Sequence, residues 1–417
     1  MTTENLKKNA LWNAAGNIVY FACQWIVTVF VTVIGGFEDA GALSIAMSMS
    51  ATFQTVAAFG IRSYQVSDLE GKYTDQCYVF FRIISCAVAL IGCISFSLIG
   101  GYRGETLLCI FLFMVFRLAE NFSDVLHGIA QKNDRLDVAG KSFAIKGIGL
   151  LVAFFSAYIL SHRLYLGLLA MTAFSCATTL LYDLPMTRRL SDFGFIDKGG
   201  SWFSLAKETL PLCAYLFLST AMVSLPKLIL EKQCGKEILG AYASIFAPTM
   251  LIQVAIGYVY NPFVNMFAEC HIKGDRKGFL SLFCKIMTVI LLLALVIIAL
   301  ARFLGDLLLP ILFGETIRPY ISFLIPILLA MTAVSLFGFL CMICTVLRNF
   351  VFLLVSCVIG FGLCIFLTTP FIARFSANGT SYSLIVAAAV SCAIALIGIL
   401  KSLFASKKDI RQGETEK

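Results

Sequence analysis

Long apolar runs divided by short polar breaks dominate the chain. Twelve stand out, at 12–34, 41–61, 79–100, 106–127, 143–161, 164–184, 209–230, 238–260, 279–304, 319–346, 351–372 and 380–404. A helix needs about 20 mostly apolar residues to cross hydrocarbon. Within lipid every backbone N–H and C=O must be satisfied internally, which leaves helices or a closed barrel. A barrel strand alternates over roughly ten residues, and these runs are longer and do not alternate. The pattern predicts an all-α, polytopic membrane protein of about twelve transmembrane helices. The first run is too long for the h-region of a cleaved signal peptide, and no small-residue cleavage site follows it.

Composition agrees. The 417 residues are 59% hydrophobic and 13% charged, with mean hydropathy +0.90. Soluble domains average about 25% charged residues, so a soluble fold is excluded. Twenty-three of the 32 Lys and Arg fall on the side of the N-terminus, among them Arg62, Arg82, Lys146, Lys198 and the lysines of the C-terminal tail. Seven fall on the other side, and Arg117 and Lys227 lie inside spans. By the positive-inside rule both termini are expected to be cytoplasmic. The formal charge of +8 then reflects topology and contact with anionic lipid, not nucleic-acid binding. The fifteen cysteines lie mostly within apolar runs, including Cys341 and Cys344 of a C-x-x-C, and read as small buried hydrophobes. No metal site and no cofactor are expected.

An internal repeat organises the chain. A gapless shift of 199 residues places Gly36, Glu38, Gly41 and Ala42 on Gly235, Glu237, Gly240 and Ala241. It also places Gln54 on Gln253, Glu70 on Glu269, and Lys8, Leu11, Ala15 and Ala22 on Lys207, Leu210, Ala214 and Ala221. The G-x-E-x-x-G-A block lands on the turn between the first two helices of each half. Six helices per half is an even number, so the repeats are parallel. The expected architecture is two six-helix lobes around a central cavity. The divisions are an N-terminal lobe at 1–184, a cytoplasmic linker at 185–208, a C-terminal lobe at 209–405 and a polar cytoplasmic tail at 406–417.

The two-times-six plan, VIGGFEDAGALSIA after the first helix and AAFGIRSYQVSD closing the second resemble the polysaccharide flippases. These belong to the multidrug/oligosaccharidyl-lipid/polysaccharide exporter (MOP) superfamily. The segments FRLAENFSDVLHGIAQKNDRLDVAGKS and SLPKLILEKQCGKEILGAYASIFAPTMLIQVAIGYVYNPFVNMFAE are similar to the same family. The resemblance covers nearly the whole chain. It implies an alternating-access flippase, coupled to an ion gradient. Its substrate would be an undecaprenyl-diphosphate-linked oligosaccharide repeat unit, moved from the cytoplasmic to the outer leaflet of the lipid bilayer. Other polysaccharide-assembly membrane proteins are the implied partners.

Charges at membrane depth are costly and usually face a cavity or one another. In the fourth span Arg117, Glu120, Asn121 and Asp124 share a helical face, with His127 roughly in line. Two readings stay open. One is an ion-pair stripe that locks helices together. In the other, Arg117 meets phosphate while Glu120 or Asp124 binds a coupling ion or holds Arg117. Arg62 closes the second span, either as a positive-inside anchor or as a phosphate contact whose planar fork suits phosphate oxygens. Lys227 follows Pro226 and either snorkels to the interface or faces the cavity. Gln54 and Gln253 line the cavity or join helices. The substrate-binding candidates are therefore Arg62, Arg117, Lys227, Gln54 and Gln253. Two other function classes compete, a cation-coupled multidrug antiporter of the same superfamily and a membrane enzyme of envelope polysaccharide synthesis. The sequence holds no catalytic constellation, and a non-enzymatic transporter is expected.

Overall fold

The computed structural model describes residues 3–68, 71–197 and 199–404. The 406–417 tail, Glu70, Lys198 and the side chains of Lys7 and Lys8 lie outside the described residues. Among the described residues the fold is built of helices joined by short turns and one longer segment before Trp202. In order it forms α1 (Thr3–Ala58), α2 (Ile61–Ser67), α3 (Asp75–Ile99), α4 (Gly104–Lys132), α5 (Leu136–Ser161), α6 (Leu164–Thr178) and α7 (Leu184–Arg188). It continues with α8 (Trp202–Cys234), α9 (Lys236–Tyr260), α10 (Val264–Lys273), α11 (Arg276–Phe313), α12 (Leu324–Val346), α13 (Phe350–Phe375) and α14 (Asn378–Phe404). A π-helical turn, Thr179–Asp183, joins α6 to α7.

Among the described residues, eleven helical stretches are long and apolar enough to cross a membrane. The first, Leu11–Ser67, is broken at Gly36 (φ 71°, ψ −170°), so it supplies two of the twelve expected crossings. Only glycine adopts that backbone conformation without strain. Its repeat mate Gly235 ends α8 in nearly the same conformation (φ 87°, ψ 170°). The protein is an all-α, multi-pass membrane protein.

Chain compactness defines two units, Met1–Ser244 and Ile245–Lys417. In the first, α1 packs on α3, α4, α5 and α8. Thr32 and Ser244 hydroxyls lie 2.9 Å apart. Two glycines of the repeated block make reciprocal contacts here. A Cβ at Gly41 would overlap the carbonyl oxygen of Lys236, and one at Gly240 would overlap that of Phe37. Phe37 and Lys236 are themselves repeat mates, so the contact is the same from both sides, as in an isologous interface.

The second unit packs α14 against α12 and α13. Apolar attraction between helices is weak in lipid, so small polar bonds carry more of the association. Thr368 and Ser383 hydroxyls lie 2.9 Å apart, and Ser391 donates to the Ser356 carbonyl at 3.1 Å. Cys341 and Cys344 are buried here, with Cys344 Sγ 3.8 Å from the Ala395 carbonyl.

Candidate functional site

Two left-handed residues, Phe59 (φ 49°) and Gly60 (φ 67°), turn the chain out of α1 into α2. A side chain at Gly60 would overlap Leu212 of α8, so the turn is also closely packed. It places Arg62 beside α4. Arg62 Nη1 donates to Asp124 Oδ1 at 2.9 Å and to the Asp124 carbonyl at 2.8 Å, and Nη2 donates to Gln131 Oε1 at 2.8 Å. Asp124 and Gln131 are seven residues apart and share one face of α4. The other carboxylate oxygen, Asp124 Oδ2, accepts from Arg82 Nη2 at 3.2 Å. Arg82 is fully buried in α3, and its Nη1 donates to the Ala57 carbonyl at 2.5 Å. One carboxylate thus lies between two guanidiniums, one sealed and one partly open. The side chains of Arg62 and Asp124 are 27% and 37% exposed.

The turn that carries α2 into α3 is built on Asp68. Its carboxylate accepts from the amides of Lys72 (2.8 Å) and Tyr73 (3.0 Å) and from the Tyr78 hydroxyl (2.9 Å). Burial opposes its ionisation, but these hydrogen bonds prevail and hold the carboxyl below the usual carboxylate range. Glu208 of α8 closes the same turn. It accepts from Lys72 Nζ at 2.6 Å, from the Tyr73 hydroxyl at 3.0 Å and from the Tyr64 hydroxyl. The hydrogen bond to Glu208 raises the Lys72 pKa.

Two turns nearer the start of α4, Arg117 Nη1 pairs with Glu120 Oε2 at 2.7 Å, and Asn121 donates to the Arg117 carbonyl at 2.8 Å. The guanidinium lies over the rings of Phe113 and Phe116, 5.1 and 5.3 Å from their centroids. Ring faces attract a cation. The Arg117 and Glu120 side chains are 22% and 15% exposed.

His127 does not continue this stripe. Ser123 and His127 are rotated from Asp124 toward α5 and α6, because successive residues advance about 100° around a helix. There they join a buried cluster. His127 Nε2 lies 3.2 Å from Asp183 Oδ1, and Lys146 Nζ donates to Asp183 Oδ2 at 2.9 Å. Ser123 Oγ donates to Asp183 Oδ2 at 2.7 Å and also accepts from Lys146 Nζ. No side chain among His127, Lys146 and Asp183 is more than 2% exposed.

Arg62 and Asp124 are therefore brought together, and so are Arg117 and Glu120. Lys227 is half-buried in α8, which stays helical through Pro211 and Pro226. Gln54 is half-buried in α1, and Gln253 in α9 within the second unit. Sequence reasoning missed Arg82, Gln131, Lys146 and Asp183. Arg82 and Lys146 were counted among the cytoplasmic-side cations at the inner ends of their runs, and both are buried inside membrane helices. The helices outrun their apolar cores: α3 begins at Asp75 and α5 at Leu136, ahead of the expected starts at 79 and 143. A search for charges within the first two turns of each run finds both cations.

No protein-family model matches this chain. Among curated proteins, the capsular polysaccharide biosynthesis protein CapF of Staphylococcus aureus is 25% identical over 313 residues, which cover 74% of this chain and 77% of CapF. Among solved structures, the MATE multidrug transporter DinF-BH superposes with TM-score 0.67 at 13% identity, covering 97% of each chain. The eukaryotic MATE transporter AtDTX14 gives 0.62 at 13% identity, over 99% of this chain and 98% of that one. A MOP-superfamily transporter from Pyrococcus furiosus, described as having a binding pocket of reverse polarity, gives 0.59 at 14% identity over 95% of each. The chain has the fold of these MATE transporters.

Proposed function

We propose that the protein is a flippase that moves undecaprenyl-diphosphate-linked oligosaccharides across the bacterial inner membrane by alternating access, with both termini cytoplasmic. The observation that carries this reading is the sign of charge at membrane depth. Asp124 is bound by both Arg62 and Arg82, Glu120 by Arg117, and Asp183 by Lys146. The Arg62–Asp124–Arg82 group keeps a surplus positive charge and is partly open. A diphosphate entering low dielectric needs fixed positive partners, since a bare charge there costs many kcal/mol. Arg62 is the phosphate contact on this reading, joined by Arg117 and Lys227, with Gln54 and Gln253 meeting sugar. The capsular role named for the Staphylococcus aureus relative supports it.

The division into lobes at 1–184 and 209–405, joined by a cytoplasmic linker, belongs to the same proposal. So does coupling to an ion gradient. Glu120 and Asp124 were the sequence candidates for the ion, and both already hold an arginine. The cargo crosses without covalent change, so no catalytic group or cofactor is needed.

A second reading is a multidrug antiporter, favoured by the multidrug transporter among the similar solved structures. Organic cations call for a carboxylate not already engaged by a guanidinium or ammonium group, which Asp124, Glu120 and Asp183 do not offer. Purified protein in liposomes decides the matter. A defined lipid-linked oligosaccharide is loaded on one leaflet and its appearance on the other is measured, beside efflux of a fluorescent organic cation. Flipping without cation efflux supports the proposal, and efflux without flipping overturns it.

A further inference from the structure

Arg82 and Arg62 share one carboxylate on unequal terms. Arg82 is fully buried, its Nη1 held by the Ala57 carbonyl, and Asp124 is the carboxylate in contact with it. Removing Asp124 from Arg82 would strand a charge in the protein interior. Arg62 is held differently. Apart from Asp124 Oδ1, its acceptors are neutral, namely the Asp124 carbonyl and Gln131 Oε1. Its side chain is partly exposed, and it stands on a seven-residue helix set off from α1 by the left-handed pair Phe59 and Gly60. Withdrawing Arg62 therefore leaves Asp124 still compensated by Arg82. The pair Asp124–Arg82 is self-sufficient in charge, and Arg62 is the member that can leave.

We propose that Asp124 is a resident stand-in for phosphate: with Gln131 it holds the Arg62 guanidinium until a diphosphate takes its place, and Arg82 keeps the displaced carboxylate neutralised. The inference rests on the flippase reading and deepens it, since it assigns a diphosphate-exchange role to Asp124 and positioning roles to Arg82 and Gln131. Asp124 gives Arg62 one carboxylate oxygen, at Nη1, while Gln131 holds Nη2; a phosphate can engage both nitrogens at once, so the incoming group gains a second bond as it displaces the carboxylate. Competition from Asp124 also prevents over-tight binding. A transported anion must be released, and a carboxylate waiting beside the arginine speeds that release. The Glu208 hub acts next to it: Tyr64, two residues after Arg62, is tied to α8 through Glu208.

The test uses the full-length protein in nanodiscs of neutral phosphatidylcholine, with geranylgeranyl diphosphate as probe. Inorganic pyrophosphate and phosphatidylglycerol serve as separate competitors. Asp124→Asn removes the competing charge while retaining an acceptor for Arg82. It is expected to tighten diphosphate binding about three- to tenfold and to slow flipping, so that KM and kcat fall together. Arg62→Ala in the Asp124→Asn background is expected to abolish that gain. Gln131→Leu, which removes only a neutral holder, is expected to tighten binding less and leaves Arg82 untouched should Asp124→Asn fold poorly. Competition by pyrophosphate identifies the diphosphate group as the ligand. Competition by phosphatidylglycerol alone identifies a lipid-headgroup site and overturns the proposal. Unchanged or weaker binding in both folded variants, with Arg62→Ala still defective, overturns the exchange and leaves the flippase reading standing. Absence of diphosphate binding in the parent protein overturns both.

Discussion

Lys146 Nζ lies 2.9 Å from Asp183 Oδ2 in a site where neither side chain is more than 2% exposed. A buried ion pair contributes little net stability against an apolar replacement, but removal of one partner is costly. Lys146→Met leaves Asp183 with Ser123 and His127, and about 3–5 kcal/mol of stability should be lost. The double variant Lys146→Met with Asp183→Leu should recover much of that loss. Thermal melts in detergent measure both. A double variant worse than either single one would mean that the pair acts beyond charge compensation.

Gly41 and Gly240 predict a shared interface. An alanine at either position meets a backbone carbonyl, of Lys236 or Phe37, and the two backbones must separate. Each of Gly41→Ala and Gly240→Ala should lower Tm. Because both act on one contact, their effects should fall short of additivity. Simple addition of the two Tm losses would show two independent sites.

Arg117 tests the role of the guanidinium fork. Arg117→Ala should abolish flipping, and Arg117→Lys should restore it in part, because lysine keeps the charge without the bidentate geometry. Membrane levels of each variant are compared first, since Glu120 loses its partner at 2.7 Å. Parental flipping rates in Arg62→Ala, Arg117→Ala and Lys227→Ala together would leave the basic residues a structural role only.

Asp68 gives a pH dependence. Its folded pKa lies below the ordinary value near 3.9. A depressed carboxyl stabilises the fold above the unfolded pKa, and that contribution disappears as pH falls through the folded pKa. Asp68→Asn should therefore lower Tm at neutral pH, and its difference from the parent should shrink below about pH 4. A gap that persists unchanged under acid would assign the loss to shape and not to charge.

Topology is accessible to labelling. In a cysteine-free background, Asp192→Cys in the 185–208 segment should react with an impermeant thiol reagent only after the membrane is opened. Glu237→Cys, in the turn that repeats the first one, should react in intact cells. Reversal of this pattern would place the termini outside.

Much of the fold was legible because a bilayer makes hydropathy decisive: the twelve runs became the spanning helices, and Gly36 and Gly235 marked matching breaks. Arg117 and Glu120 were readable as a pair because their spacing alone brings them together. Asp124 was read with them, yet its charged partners come from α2 and α3. Such contacts depend on how helices pack, which spacing along one helix does not encode. Lys146 was hidden for a related reason. A cation one turn inside the end of an apolar run reads as a positive-inside flank, whereas α5 begins ten residues earlier, at Leu136, and buries it among other helices.

The π-helical turn at Thr179–Asp183 sets which chemistry reaches that bundle. The inward stripe of α6 runs Leu164, Leu168, Met171, Ser175 and Thr178. Continued in strict α-phase it would next bring in Tyr182 and Met186. The wider turn, closed by the Leu184 amide on the Thr179 carbonyl, delays the phase by one residue, so Asp183 and Thr187 are buried instead. The anion opposite Lys146 is thus a matter of register: a single step of slack in the helix exchanges a phenol for a carboxylate at the centre of the first unit.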